Sequence, residues 1–191
     1  QQNDYENAIK YYEDSISAMG TQPSAYVGIA MCQLQRNEIN KARKNFSLAF
    51  QFSKYTQKTP DTKYNYAIFL RETGRIRECK TYFKDILDTG KPFNILGFYE
   101  LVMIDAYNKI SDKVMRRMKA LLKSKNTNKI LKTYLHFAFG KIYRNNGDYK
   151  LSWLNYYKGN LLSCNKQIRD SRINSLSKIK DNIIKFFNTD R

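Results

Sequence analysis

Histidine is almost absent from this 191-residue sequence, where His136 stands alone. Cysteine is scarce as well, and Cys32, Cys79 and Cys164 lie far apart. A zinc site needs about four N, S or O ligands at close spacing, and no CxxC or HExxH pair occurs. The loops GxSxG, GxGxxG and GxxxxGKS/T are missing too, so neither a nucleophile elbow nor a phosphate cradle is expected. The sequence therefore predicts no catalytic residue, no metal and no cofactor. Three Pro and eight Gly are too few for a sandwich or barrel built on many tight turns. No apolar run approaches the roughly 18 residues that cross a bilayer; the longest, 93–107, is broken by Asn94, Glu100 and Asp105. An odd number of cysteines inside apolar patterns predicts reduced, buried thiols and a cytoplasmic setting. The chain opens Gln1-Gln2 without Met, and we expect it to be a piece of a longer protein.

Acidic residues are in short supply: 17 Asp and Glu face 34 Lys and Arg, a formal net charge of +17. Such a chain attracts polyanions at low salt. The same richness in Lys, Asn, Ile, Tyr and Phe is also what an AT-biased genome produces, and a solvated basic surface is the plainer expectation.

What is present is a repeat. Ala8, Tyr12 and Ser15 recur 34 residues later as Ala42, Phe46 and Ala49, then as Cys79, Phe83 and Ile86, and again as Ser152, Tyr156 and Gly159. The second recurrence implies an insertion in the 54–60 loop. A companion pattern precedes each turn: Tyr26, Ile29 and Ala30 before Asn37; Tyr66, Ala67 and Leu70 before Gly74; His136, Phe139, Gly140 and Tyr143 before Gly147. Apolar residues at i, i+3, i+4 and i+7 make amphipathic helices. Small residues let two antiparallel helices approach, and large aromatics fill the groove between them. A pair of such helices cannot bury its own apolar face, so pairs must stack.

The small–aromatic–small spacing at a period near 34 resembles the tetratricopeptide repeat family. That resemblance implies an all-α fold, a right-handed superhelix of helical hairpins. The expected organisation is a repeat array over 1–165: a truncated repeat at 1–20, repeats at 23–56 and 60–90, a divergent helical pair at 92–127, and a repeat at 131–165. A C-terminal capping helix and tail follow at 166–191.

The stretch Tyr134 to Tyr143, then Asn146-Gly147-Asp148-Tyr149 and Tyr156 to Leu162, is similar to the repeat region that precedes the sulfotransferase domain in bacterial two-part proteins. The similarity spans roughly 95–188. It implies that a domain using 3′-phosphoadenosine 5′-phosphosulfate follows Arg191 in the parent protein. The Gly-Pro-Arg-Ser-Gly-Thr-type loop of such a domain is absent here, so no catalytic or cofactor-binding position carries over.

Tetratricopeptide arrays hold peptides or domains in a groove lined by first helices. Projected onto this sequence, the groove takes Val27, Met31, Leu34 and Gln35, then Tyr64, Ile68, Arg71 and Glu72, then Tyr134, Phe137, Lys141, Arg144 and Asn145. Val27, Met31, Tyr64 and Ile68 stand where a carboxylate clamp would need Lys and Asn, so a terminal carboxylate is not the expected ligand. A second surface is the basic segment with Lys113, Arg116, Arg117, Lys119 and Lys123, whose apolar stripe (Val114, Met115, Met118, Leu121, Leu122) sets the cations on the outer face. The expected partner is a protein or peptide, or an adjoining domain of the same chain, with a homo-oligomer through Tyr5, Ala8 and Tyr12 as a further expectation. Nucleic acid is not the expected partner, because the aromatics fall mostly on core periodicity. A free-standing adaptor and a basic binder of RNA or an anionic surface are the alternative functions. Trp153 either packs against the C-terminal helix or is an exposed anchor.

Overall fold

The computed structural model describes residues 2–20, 22–53, 59–90, 92–105 and 111–164. Among them are nine helices and no strand: α1 (Gln2–Met19), α2 (Pro23–Gln35), α3 (Ile39–Ser53), α4 (Thr59–Glu72), α5 (Ile76–Asp85), α6 (Phe93–Met103), α7 (Asp112–Lys123), α8 (Lys129–Asn145) and α9 (Tyr149–Ser163). The all-α, tetratricopeptide-like class expected from the repeat is the class found. Of the 54–60 loop expected to hold the insertion, residues 54–58 lie outside the described residues and Thr59 already opens α4; the C-terminal helix expected at 166–191 lies outside them as well. The chain divides into two compact units, Gln1–Met115 and Arg116–Arg191, with the division falling inside α7.

One turn occurs three times and makes the hairpins. After α2, Glu38 N–H reaches Gln33 C=O (2.8 Å) and Asn37 N–H reaches Leu34 C=O (2.9 Å). After α4 the same pair is Arg75 to Leu70 (2.8 Å) and Gly74 to Arg71 (3.0 Å), and after α8 it is Asp148 to Tyr143 (2.9 Å) and Gly147 to Arg144 (3.1 Å). This is the Schellman closure, which satisfies the last carbonyls of a helix and needs a left-handed residue at its centre. Asn37 (φ 60°), Gly74 (φ 76°) and Gly147 (φ 79°) supply it, at the three turn positions the repeat predicts. The next helix begins at once. Asp148 Oδ1 accepts from Leu151 N–H (3.0 Å) and caps α9,.

In the N-terminal unit α2 packs on α1, α3 and α4, while α4 also packs on α5 and α6. Ala42, Phe46 and Ala49, and then Cys79, Phe83 and Ile86, are all fully buried, as are Ala30 and Ala67. The core is aromatic. Phe46 meets Tyr66 and Phe69 with ring centroids 5.3 Å away in each case, and Phe50 meets Tyr66 at 5.2 Å edge-on. Such pairs add about 0.5–1.5 kcal/mol beyond the area they bury. The first occurrence of the pattern behaves differently. Ala8 and Ser15 are half-buried and Tyr12 is 38% exposed. Among the described helices α1 packs mainly on α2, so only one side of Tyr12 is covered, where its ring sits over Gly28.

In the C-terminal unit α8 and α9 form a tight antiparallel hairpin. A Cβ on Gly140 would meet the Tyr156 ring at 3.1 Å, and one on Gly159 would meet the Phe137 ring at 2.8 Å. Each helix thus lays a glycine under the other's aromatic ring. Ser152 Oγ donates to Gly140 C=O (2.9 Å) in the buried seam between them.

Candidate functional site

The groove residues predicted in the N-terminal unit come from α2 and α4. Met31 is half-buried and Gln35 exposed, but Val27 is buried at 6% exposure. Contacts with α1, α3 and α4 leave α2 only a narrow free strip, and Val27 falls outside it. On α4, Tyr64 and Arg71 share a face at a spacing of seven. Tyr64 packs against Phe83 and Phe93, each ring centroid 6.1 Å away. Its hydroxyl lies 3.5 Å from Glu100 Oε1.

Glu100 is the residue that sequence reasoning missed. It sits on α6, buried at 5% exposure, and Arg71 donates to it in a short ion pair. Arg71 also donates to Glu72 through Nε (3.2 Å) and Nη2 (2.8 Å). Burial pushes the Glu100 carboxyl above the usual range, and the Arg71 guanidinium pulls against that. Arg71 itself is raised: desolvation opposes its charge, and Glu72 and Glu100 outweigh desolvation. The signal available in sequence was one acid inside the apolar run 93–103; its partner lies 29 residues away. This face thus carries an Arg71–Glu100 ion pair flanked by the rings of Tyr64, Phe83 and Phe93.

Further ion pairs brace the same unit. Arg36 bridges Glu6 (3.2 Å) and Glu38 (2.9 Å), and Glu38 also meets Lys41 (2.9 Å). Arg75 pairs with Glu78 at 2.5 Å and Lys63 with Asp85 at 3.1 Å. The Lys41 hydrogen bond holds the Glu38 carboxyl below its usual range. A cleft of about 290 Å³ opens between α1, α2 and α3, lined by Glu13, Ser17, Tyr26, Ile29, Gln33 and Asn45. Asn45 Nδ2 donates to Gln33 Oε1 (2.9 Å) at its wall.

The predicted groove residues of the C-terminal unit lie on α8. Tyr134 and Lys141 are half-buried, and Arg144 and Asn145 are exposed. His136 Nδ1 lies 3.0 Å from Asn155 Oδ1. Asn155 Nδ2 donates to Leu151 C=O (2.8 Å), which turns the amide oxygen toward His136 and makes Nδ1 the proton donor. Burial lowers the His136 pKa, with the Asn155 contact opposing it.

The predicted basic patch is split. Lys113, Arg116, Lys119 and Lys123 are exposed on α7, whereas Arg117 is half-buried with Nε and Nη2 shielded from solvent. Lys113 falls in the N-terminal unit and the others in the C-terminal one.

All three cysteines are free thiols; Cys79 is buried, but Cys32 and Cys164 are only half-buried, which departs from the fully packed setting expected for each. Burial raises the Cys32 and Cys79 thiols above their usual value, so both are poor nucleophiles,. Among the described residues no cluster of His, Cys, Asp or Glu is arranged to hold a metal, and no helix is long and apolar enough to cross a membrane.

No curated protein matches this chain at a significant level. The family model of the tetratricopeptide repeat matches residues 1–18, so the chain carries a tetratricopeptide repeat.

Proposed function

We propose that this chain is a non-catalytic protein-interaction scaffold. The observation that carries it is the repeated hairpin: three identical turns, with a repeat-family match at 1–18, build paired helices around a core and leave side chains of the first helices at the surface. Met31 and Gln35 on α2 form the accessible part of the N-terminal face; Tyr64 and Arg71 shape it from α4. Tyr134, Lys141, Arg144 and Asn145 offer a separate face on α8. Tyr and Arg are residues on which binding energy concentrates. The chain itself performs no chemistry in this reading, and it works in a reducing, cytoplasmic compartment.

Selection of a displayed peptide library on the protein tests the scaffold. Enriched peptides should compete for one site and lose at least tenfold in affinity to Met31→Glu combined with Gln35→Ala. Peptides indifferent to both changes would contradict the assignment to α2 and α4.

The parent protein, in the same proposal, continues past Arg191 into a sulfotransferase domain. What supports this is the likeness of 95–188 to the repeat region of bacterial repeat–sulfotransferase proteins. Sequencing the gene downstream of the Arg191 codon should reveal a Gly-Pro-Arg-Ser-Gly-Thr-type loop. A stop codon there would replace this context with a free-standing adaptor.

A further inference from the structure

The hairpin of α8 and α9 carries exposed rings that its repeat pattern does not use. Tyr149 is 72% exposed and Trp153 is 62% exposed. Trp153 stacks on Tyr157 with ring centroids 5.1 Å apart and planes 7° from parallel. Spaced by four, the three rings follow one face of α9, with Tyr157 half-buried,. Lys150 adjoins Trp153 on this face at a spacing of three. At the far end of α9, Lys129 Nζ reaches Cys164 C=O (3.4 Å).

The described part of this unit is strongly of one sign. Between 116 and 164 the sequence has eleven Lys and Arg and a single acid, Asp148. Asp148 is engaged in capping α9. Eight of the eleven cations are Lys. Protein interfaces are enriched in Arg and aromatics but depleted in Lys, whereas a Lys-rich surface suits phosphates, which need point charges more than planar forks. Exposed rings amid lysines are the elements with which proteins bind unpaired strands, the cations following phosphates while bases stack on the rings.

We infer that the α9 face built on Tyr149, Trp153 and Tyr157 binds single-stranded nucleic acid. This reverses the expectation drawn from core periodicity, and the reason is the exposure of Trp153. The inference is independent of the scaffold proposal, since it rests on residues of α9 that neither proposed peptide face uses.

Trp153 is the only tryptophan, so its fluorescence reports on the face directly. The intact chain would be titrated with a 12-nucleotide oligouridine, with a 12-base-pair duplex, with polyglutamate and with vesicles of phosphatidylserine and phosphatidylcholine. Oligouridine should quench Trp153 saturably, and its affinity should fall with salt at a log–log slope of about −2, corresponding to roughly three phosphates. Anisotropy of a labelled oligouridine should show about a tenfold loss for Trp153→Ala, near-normal binding for Trp153→Phe and a shallower salt slope for Lys150→Glu. Circular dichroism should find the variants equally helical, as expected for an exposed side chain. Equal affinity for the duplex, or for polyglutamate or the vesicles, would overturn the inference, because charge alone would then explain the binding. Insensitivity to Trp153→Ala would overturn it as well.

Discussion

The two units manage charge in opposite ways. Residues 1–115 hold 16 basic and 13 acidic residues, and residues 116–191 hold 18 and 4. In the first unit acids meet bases at short range, down to the buried Glu100 under Arg71. In the second, Lys and Arg far outnumber the acids. Their cores differ in parallel. The first stacks rings on rings around Phe46, and the second fits rings onto glycines at Gly140 and Gly159. The lesson is that one repeat pattern fixes how helices meet without fixing what they display.

Removing a ring from the first core should have the largest effect. Phe46→Ala deletes a fully buried side chain and should destabilise the N-terminal unit by about 3–5 kcal/mol. Hydrogen exchange should accelerate in α2–α5 and much less in α8 and α9. Equal acceleration everywhere would break the division into units.

The matching change in the second core is Gly159→Val. The Phe137 ring must move to admit the new side chain, at a cost of about 1–3 kcal/mol. Exchange should now accelerate in α8 and α9. A variant as stable as the parent would show that the ring does not lock the hairpin.

These cores were legible because local spacing encodes them. Ala42, Phe46 and Ala49 sit on one helix face, and the turns at Asn37, Gly74 and Gly147 need a left-handed residue that few side chains tolerate. Contacts set by the stacking of separate elements were not legible. Nothing within 29 residues of Arg71 announces Glu100. Trp153 and Tyr157 fit helical spacing as well as any core pair, and only the side facing Phe137 and Gly140 shows that α9 turns Trp153 outward. Val27 was misplaced for a similar reason: a projected groove assumes one free face, and neighbours on several sides of α2 cover more.

Arg71→Ala sharpens the electrostatic half of the comparison. It leaves the Glu100 carboxylate buried without its cation, and the N-terminal unit should lose about 2 kcal/mol at pH 7. The loss should shrink on acidification, because a carboxyl already raised by burial becomes neutral more readily,. A pH-independent loss in thermal unfolding would assign the effect to packing.

The smallest expected effect is opposite in sign. His136 has a lowered pKa in the fold, so its contribution is complete above the usual histidine value of about 6.5 and is lost as pH falls through the folded value. Glu100, with a raised pKa, contributes fully below the usual carboxyl value and loses that contribution as pH rises through its folded value. Acidification from pH 7.5 to 5 should therefore loosen α8 and α9 by a fraction of a kcal/mol, and His136→Gln should flatten that response.

The contrast in charge is tested most directly by hydrogen exchange of the wild-type chain at 0.05 and 0.5 M NaCl, read separately for α2–α5 and for α8 and α9. Screening relieves repulsion where like charges crowd and weakens pairs where opposite charges meet. We predict slower exchange in α8 and α9 at high salt, with unchanged or slightly faster exchange in α2–α5. The same response in both sets of helices would contradict the account.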